Sequence, residues 1–558
     1  MGERGERDEM GERDERARRG LLITGARVYT ADPDHPWAEA ILIDGGRILH
    51  VGTEADARAR AGAGAERVHL PGALAVPGLN DAHIHMTLGA EALGLLNLEG
   101  IATLPTLQAA LRAHAAAEPA RPWIEGYGLA YEVFDGLDGP ERAALDEAVA
   151  DRPVYLRAFD WHTSWANTPA LRRAGIERGA AVPLPNEVVV DPADGLATGM
   201  LKERLAQELV AALIDAPTAA RQDDALRAAV RHVNGLGITS VQNMDGDPER
   251  LAQYDRLRER GELTVRAYHY MSVRESARRD RLEEFALLTR RYTDPWNRTR
   301  GIKLFIDGVV ESRTALLLEP YADGSGATGV PDMDPEAYRE IVVEADRLGM
   351  DVATHAIGDR GVRLALDAYE EAARANGGGR ERRHRVEHIE VGHPTDLLRF
   401  ARLGVTASMQ PLHAVPTGDP RFTPWTRLVG SAREPYAFAW RRLIESGAPV
   451  AFGSDWPIVT PDVRAGVHAA LTRATTASEP RGGWQPQQCV TLAQALDAYT
   501  RGAARAEAQE GIKGMLRPGM LADVTVFTQD LFALRPAEIL QVDIALTVVD
   551  GQIVHRTP

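Results

Sequence analysis

The chain has 558 residues, 44% of them hydrophobic, which is enough for one large domain and a smaller companion. Lys and Arg number 64 against 80 Asp and Glu, and the resulting formal charge of −16 excludes a basic nucleic-acid surface or one built for anionic membranes. Cys489 is the only cysteine, so disulfide scaffolds, thiolate zinc sites and CxxC redox centres are excluded. A metal would have to be held by His, carboxylate or modified Lys. No apolar run is long enough to span a bilayer, and the N-terminus carries no apolar targeting stretch, so the cytoplasm is the expected compartment.

Arginine dominates the basic residues: only Lys202, Lys303 and Lys513 are lysine. A deprotonatable amine cannot be replaced by a guanidinium, so each lysine calls for a local reading. Residues 1–20 are mostly charged and repeat Met-Gly-Glu-Arg at positions 1 and 10; they are expected to form a disordered tail. From Leu21 the segments LLITGARVYT and AEAILIDGGRILHVG alternate as strands, with a hairpin signal at Asp44-Gly45-Gly46. ADVTVFTQD and ALTVVDGQIVH, turning at Asp550-Gly551, repeat this texture near the other end. Residues 21–75 and 516–558 are therefore expected to build one small domain from both termini, with 76–515 inserted between them.

The middle alternates strand-like and helix-like segments. LAVPGLNDAHIH, GITSVQN, VRAYHYM, GIKLFIDG, DVATHAIGD, RHRVEHIEV, VTASMQP and VAFGSDWP read as eight strands, separated by amphipathic stretches such as PEAYREIVVEADRLG. That pattern predicts an α/β fold, a (β/α)8 TIM barrel. The gap over about 90–235 is too long for one crossover helix and is expected to hold a subdomain inserted after the first barrel strand, over the barrel mouth.

Active-site groups of such barrels lie at the C-terminal strand ends, and here those ends carry His83, His85, Lys303, His355, His388 and Asp455. In His83-Ile84-His85 the two imidazoles fall on one side of an extended strand. Four histidines with a carboxylate suit zinc or a similar divalent ion. Histidines that only hydrogen-bond in the core are the alternative. His384 to His388 spells H-x-x-E-H, a zinc-protease pattern that works on a helix, but Val386, Ile389 and Val391 favour a strand.

VPGLNDAHIH, GIKLFIDGVVESRTALLLEPYAD, THAIGDRGV, RVEHIE, SMQPLHA and FGSDWP together resemble the metal-dependent amidohydrolase superfamily, within it amidohydrolase family 3 and its branch similar to N-substituted formamide deformylase. The resemblance runs from about Leu21 to the C-terminus. It implies a barrel beside a small β-sandwich and a hydrolytic centre of one or two divalent ions, expected to be Zn2+. By matching position, His83 and His85 hold the buried metal, His355 and His388 the second, Asp455 ligates and shuttles protons, and Lys303 bridges as an N-carboxylated lysine. The chemistry of Lys303 agrees, because a neutral amine can add carbon dioxide and present a carboxylate. An ordinary ammonium paired with a substrate anion or Asp307 is the alternative, as helix capping is for Asp455. Lys202 is expected to be solvated and Lys513 to lie in a Gly-rich turn.

His162, Glu203, Arg313, His413 and Trp456 match recurrent family positions and are candidate substrate contacts. His162 and His413 read equally as core or rim histidines, and Arg313 as an ion-pair partner. Asp359 is expected to cap the helix that starts at Gly361. The activity implied is hydrolysis of a C–N bond in a small amide, formamide or N-acyl compound by metal-activated water. Hydrolysis of a cyclic amide, carbamate or ester on the same centre, or a non-catalytic metal-binding regulatory role, are the competing readings. The expected partner is a small-molecule substrate, with no nucleic acid and no membrane, and a homodimer is the assembly admitted.

Overall fold

A computed structural model describes residues 20–134, 141–159, 161–183, 186–215, 218–273, 279–415 and 423–558. The charged tail, apart from Gly20, lies outside the described residues. Among the described residues the strands fall into three sheets, one of them the barrel.

The barrel strands are β1 (Leu79–Ile84), β2 (Ile238–Gly246), β3 (Arg266–Ser272), β4 (Asn297–Phe305), β5 (Asp351–Ala356), β6 (Arg385–His388), β7 (Thr406–Met409) and β8 (Val450–Phe452). They lie side by side in sequence order and every ladder is parallel, as βαβ connections require. Each of the eight segments expected from the sequence contributes a barrel strand, and the chain folds as a (β/α)8 TIM barrel with an additional β-rich domain. Helices follow with local signals. Pro335–Arg347 starts at a proline, its N-cap Asp334 accepts from the N–H groups of Glu336 and Ala337, and Tyr338, Val342 and Ala345 face inward. Asp359 departs from expectation: it is the first residue of the helix Asp359–Asn376, whose N-cap is Gly358, and its Oδ1 accepts from Leu318 N at 2.8 Å. The carboxylate ties down the loop at Leu318 and also accepts from Arg360 N in the first turn of its own helix.

LAVPGLNDAHIH, which reads as one strand, is two. Leu74–Pro77 belongs to the terminal sheet and β1 to the barrel, with Gly78 between them. The apolar pattern runs through this point because both strands are buried. What divides them is close packing: a Cβ on Gly78 would stand 2.2 Å from Thr239 Oγ1 and 2.8 Å from Asp523 Cβ.

In the terminal sheet Leu74–Pro77 pairs parallel with Leu21–Tyr29 on one side and antiparallel with Val524–Phe527 on the other. It thereby joins the N-terminal hairpin, Trp37–Asp44 with Arg47–Gly52, to the C-terminal one, Ile544–Val549 with Gln552–Arg556. Ile23, Val28, Ile41, Ile43, Val524, Val526, Leu546 and Val548 form one shared core. Residues 87–229 make a separate compact unit with a six-stranded sheet, in the order Glu187–Val190, Ala197–Lys202, Thr163–Ala166, Val154–Ala158, Ile124–Leu129, Leu96–Asn97. Among the described residues no helix is long and apolar enough to cross a membrane.

Arg266 on β3 reaches the terminal strands. Its guanidinium is 2% exposed, grips Asp523 with bonds of 2.7 and 3.0 Å, and bonds Asp550 Oδ1 at 3.0 Å. A charge so buried depends on its partner, so Asp523→Asn is expected to cost about 3–5 kcal/mol. A lower urea midpoint of the variant would show it; an unchanged midpoint would show the pair to be idle.

Candidate metal centre

The seam between β1 and β8 has no ladder among the described strands and closes through polar contacts instead. Asp455 N donates to His83 O at 2.7 Å, and His85 N to Trp456 O at 2.9 Å. Asp81 Oδ1 accepts from His83 N at 3.1 Å and Ser454 N at 2.9 Å, and burial raises this carboxyl to about 7. Gly453 makes the approach possible, because a Cβ there would lie 2.3 Å from His83 N.

This seam brings the Nε2 atoms of His83 and His85 to 3.3 and 3.1 Å from Asp455 Oδ1. The ring of His388, at the end of β6, lies 4.8 Å from the His83 ring, tilted against it, and 4.5 Å edge-on from that of His355, at the end of β5. All four histidines and Asp455 are therefore neighbours. His83, His388 and Asp455 offer ligand atoms within 4.8 Å of one another, and all three are buried. His83 Nε2, His85 Nδ1 and Asp455 Oδ1 are buried without a hydrogen-bond partner, and a divalent cation would satisfy His83 Nε2 and Asp455 Oδ1. His388 and Asp455 hold left-handed φ angles of 74° and 65°, conformations that cost a non-glycine residue energy and collect at functional sites.

The electrostatics suit a cation. Burial, then Lys303, lowers the pKa of His83, and burial, then His355 and His83, lowers that of His388, a shift toward the neutral form in which an imidazole ligates a metal. Burial pushes Asp455 up, but His83, His85 and His388 more than offset it and hold the carboxyl well below its usual range. Lys303, near the end of β4, is fully buried, with Nζ 4.9 Å from the Phe305 ring centroid and close enough to His83, His388 and Glu387 to act on their charge. Asp307 is occupied elsewhere, accepting from the N–H groups of Leu316, Ile357 and Gly358.

Of the candidate substrate contacts, His413 stacks on His388 at 5.8 Å and its Nε2 lies 3.7 Å from Asp455 Oδ2. Burial opposes its charge, yet Glu390 and Asp455 raise its pKa. Trp456, next to Asp455 in the chain, is 5.4 Å from the His232 ring. Arg313 forms an ion pair with Asp323 at 2.6 Å and is half exposed, the ion-pair reading. His162 Nδ1 and Glu203 Oε2 pair at 2.9 Å inside the 87–229 unit, where Glu203 has φ 62°. Lys202 bonds Glu187 at the surface, solvated as read.

Sequence reasoning passed over the groups that orient these ligands. Glu387 Oε2 bonds His83 Nδ1 at 2.6 Å, and Gln410 Oε1 bonds His388 Nδ1 at 2.8 Å. Trp425 Nε1 donates to Glu390 at 2.7 Å. Glu387 was visible only as part of H-x-x-E-H, which lies on β6 and not on a helix. The usable signal was Arg385 and Glu387 two residues apart in a strand meant for a barrel core, where charges persist only in pairs.

Comparison with known proteins agrees with this geometry. The amidohydrolase family profile matches residues 66–555. The chain belongs to the amidohydrolase family. It is 30% identical over 542 residues to the putative amidohydrolase YtcJ of Bacillus subtilis, covering 95% of this chain and 98% of that one. Identity to the N-substituted formamide deformylase of Arthrobacter pascens is 27% over 549 residues, covering 96% and 98%. An uncharacterized metal-dependent hydrolase from Pyrococcus horikoshii superposes with a TM-score of 0.74 at 25% identity, covering 93% of this chain and 99% of that one. This amidohydrolase is thus a metal-dependent hydrolase by family and fold, with a His/His/Asp set able to take a divalent ion.

Each of His83→Ala and His388→Ala is expected to lower bound metal, measured by plasma mass spectrometry of the dialysed protein. Gly453→Ala, which leaves all ligands in place but wedges the seam, is expected to do the same. Full occupancy in Gly453→Ala would show that the seam does not set the site.

Proposed function

We propose that this amidohydrolase cleaves the C–N bond of a small amide, formamide or related N-acyl compound. The observation that carries the reading is the meeting of four histidines, Asp455 and a buried amine, Lys303, at the C-terminal strand ends, with no serine or cysteine nucleophile needed. His83, His85, His355, His388 and Asp455 would hold one or two divalent ions, Zn2+ in the first instance, joined by an N-carboxylated Lys303. When bound, such an ion activates water near neutral pH and polarises the substrate carbonyl.

Asp455 would accept the proton of the attacking water and return it to the leaving nitrogen, since amine expulsion needs a general acid. Lys303 suits carboxylation because its buried amine lies among His83, His388 and Glu387, where loss of its charge and gain of a carboxylate would compensate the cations. His413 and Trp456 would border the substrate, with His162, Glu203 and Arg313 as further contacts. The substrate class follows the relative from Arthrobacter pascens, an N-substituted formamide deformylase. A cytoplasmic enzyme with a small-molecule partner, no nucleic acid, no membrane and a homodimeric assembly completes the proposal.

Metal-replete protein incubated with N-formyl, N-acetyl and cyclic amides is expected to release amine from the N-formyl set, followed by mass spectrometry. Turnover of cyclic amides, carbamates or esters alone would move the substrate class, and folded, metalled protein active on none would favour a binding role. Asp455→Asn is expected to lower kcat at least ~100-fold while retaining much of the metal. Lys303→Arg keeps a cation but cannot form a carbamate, so activity should collapse; Lys303→Ala should regain some turnover with formate or acetate and none with methylamine. An active Lys303→Arg enzyme would refute the carbamate.

A further inference from the structure

Of the three lysines, Lys513 is the one for which neither the metal centre nor the surface accounts. It follows the last barrel helix, in the turn expected from its glycines, yet it is buried, with Nζ 2.6 Å from Glu507 Oε1 and 2.7 Å from Ser240 Oγ on β2. Ser240 lies near the N-terminal end of its strand, opposite the end that carries the metal centre. Burial draws the Lys513 pKa below the ordinary lysine value, while Glu507 supports the charge.

From this pair a chain of polar side chains leads back to the site. Asn80 Nδ2 donates to Glu507 Oε1 at 2.8 Å, and Gln242 Nε2 donates to Ala503 O at 2.8 Å and, in the longest link, to Asn80 Oδ1 at 3.5 Å. Gln242 Oε1 accepts from Arg385 Nη1. β2 and β6 are four strands apart, so this contact spans the barrel interior. Arg385 Nε and Nη2 then clamp Glu387 at 2.5 and 3.0 Å, and Nη2 also donates to Ser408 Oγ at 2.6 Å. Glu387 Oε2 receives His83 Nδ1 at 2.6 Å. Donors and acceptors alternate consistently along the whole path, and the charges alternate too: Lys513 positive, Glu507 negative, Arg385 positive, Glu387 negative.

We propose that Lys513 is a positioning residue for the metal ligand His83, acting through Glu507, Asn80, Gln242, Arg385 and Glu387. A Glu387 carboxylate held rigid and ionised keeps the His83 proton on Nδ1 and leaves Nε2 bare toward Asp455 and the cation. Gln242 is anchored at its amide end by Ala503 O and Asn80 Oδ1 together, and losing the Asn80 side of that anchor loosens the amide that presents Oε1 to Arg385. The barrel base thus takes part in setting metal affinity. The inference rests on His83 as a metal ligand and not on the substrate class proposed above.

The test uses full-length protein stripped of metal. Zn2+ affinity is measured by chelator competition, and the His83 tautomer by 15N shifts of 15N-histidine-labelled protein, assigned by signal loss in His83→Gln. Glu387→Gln is expected to weaken Zn2+ by up to ~100-fold, and Gln242→Leu and Lys513→Met by ~10-fold each, with His83 shifting partly to its other tautomer. If Lys513→Met does not fold, Lys513→Met/Glu507→Gln removes both charges of the pair and takes its place. A folded base variant with wild-type Zn2+ affinity and unchanged His83 shifts overturns the proposal, whatever Glu387→Gln does. Wild-type protein that binds no divalent ion would refute the metal reading itself.

Discussion

The contact on which the site depends is the seam between the first barrel strand and the last. The other barrel neighbours are joined by parallel ladders, but here the closure runs through the Asp81 carboxylate, the Asp455 N–H and the bare backbone of Gly453. Closing the barrel and assembling the centre are one event, because the residues that zip the seam are the ligands or their immediate neighbours. Asp455 has its left-handed backbone in consequence: the chain must leave β8, cross to His83 and still aim a carboxylate at two imidazoles.

Such a core is costly to build. Lys303, Arg385, Glu387 and His83 are all without solvent exposure, and each ion taken from water carries a penalty of several kcal/mol before its partners are counted. Alternation of sign offsets much of this, as with Arg385 against Glu387. The apolar faces of the strands and the shared core of the terminal sheet supply stability that the polar barrel centre does not. Local conflict at a functional site, with agreement elsewhere, is the usual signature of a folded enzyme.

The barrel was legible because its eight strands carry β-branched, apolar runs broken by clear turn and helix signals, and the ligand histidines because each follows such a run. The hairpins of the terminal sheet announced themselves through Asp44-Gly45-Gly46 and Asp550-Gly551. The break at Gly78 was not legible, since it is set by the nearness of Thr239 and Asp523, which no local pattern encodes. Lys513 failed for the same reason: its turn is local, its burial against Ser240 and Glu507 is not. Glu387 and Gln410 orient the ligands His83 and His388 while Glu390 faces His413, and only the assembled barrel shows which imidazole each one meets.

The pairing of Leu74–Pro77 with Val524–Phe527 has a consequence for how the protein is made. Leu79 N donates to Thr525 Oγ1 across 446 residues, and Arg266 waits for Asp523. At roughly 5–20 residues per second, a ribosome needs roughly 20–90 s to deliver the partner of the strand it began with. Throughout that interval the N-terminal hairpin presents an unpaired edge, and the first barrel strand lacks its closing neighbour. Nascent chains of this protein are therefore candidates for chaperone capture, and loss of the last few dozen residues would strand the barrel at its first strand as much as at its end.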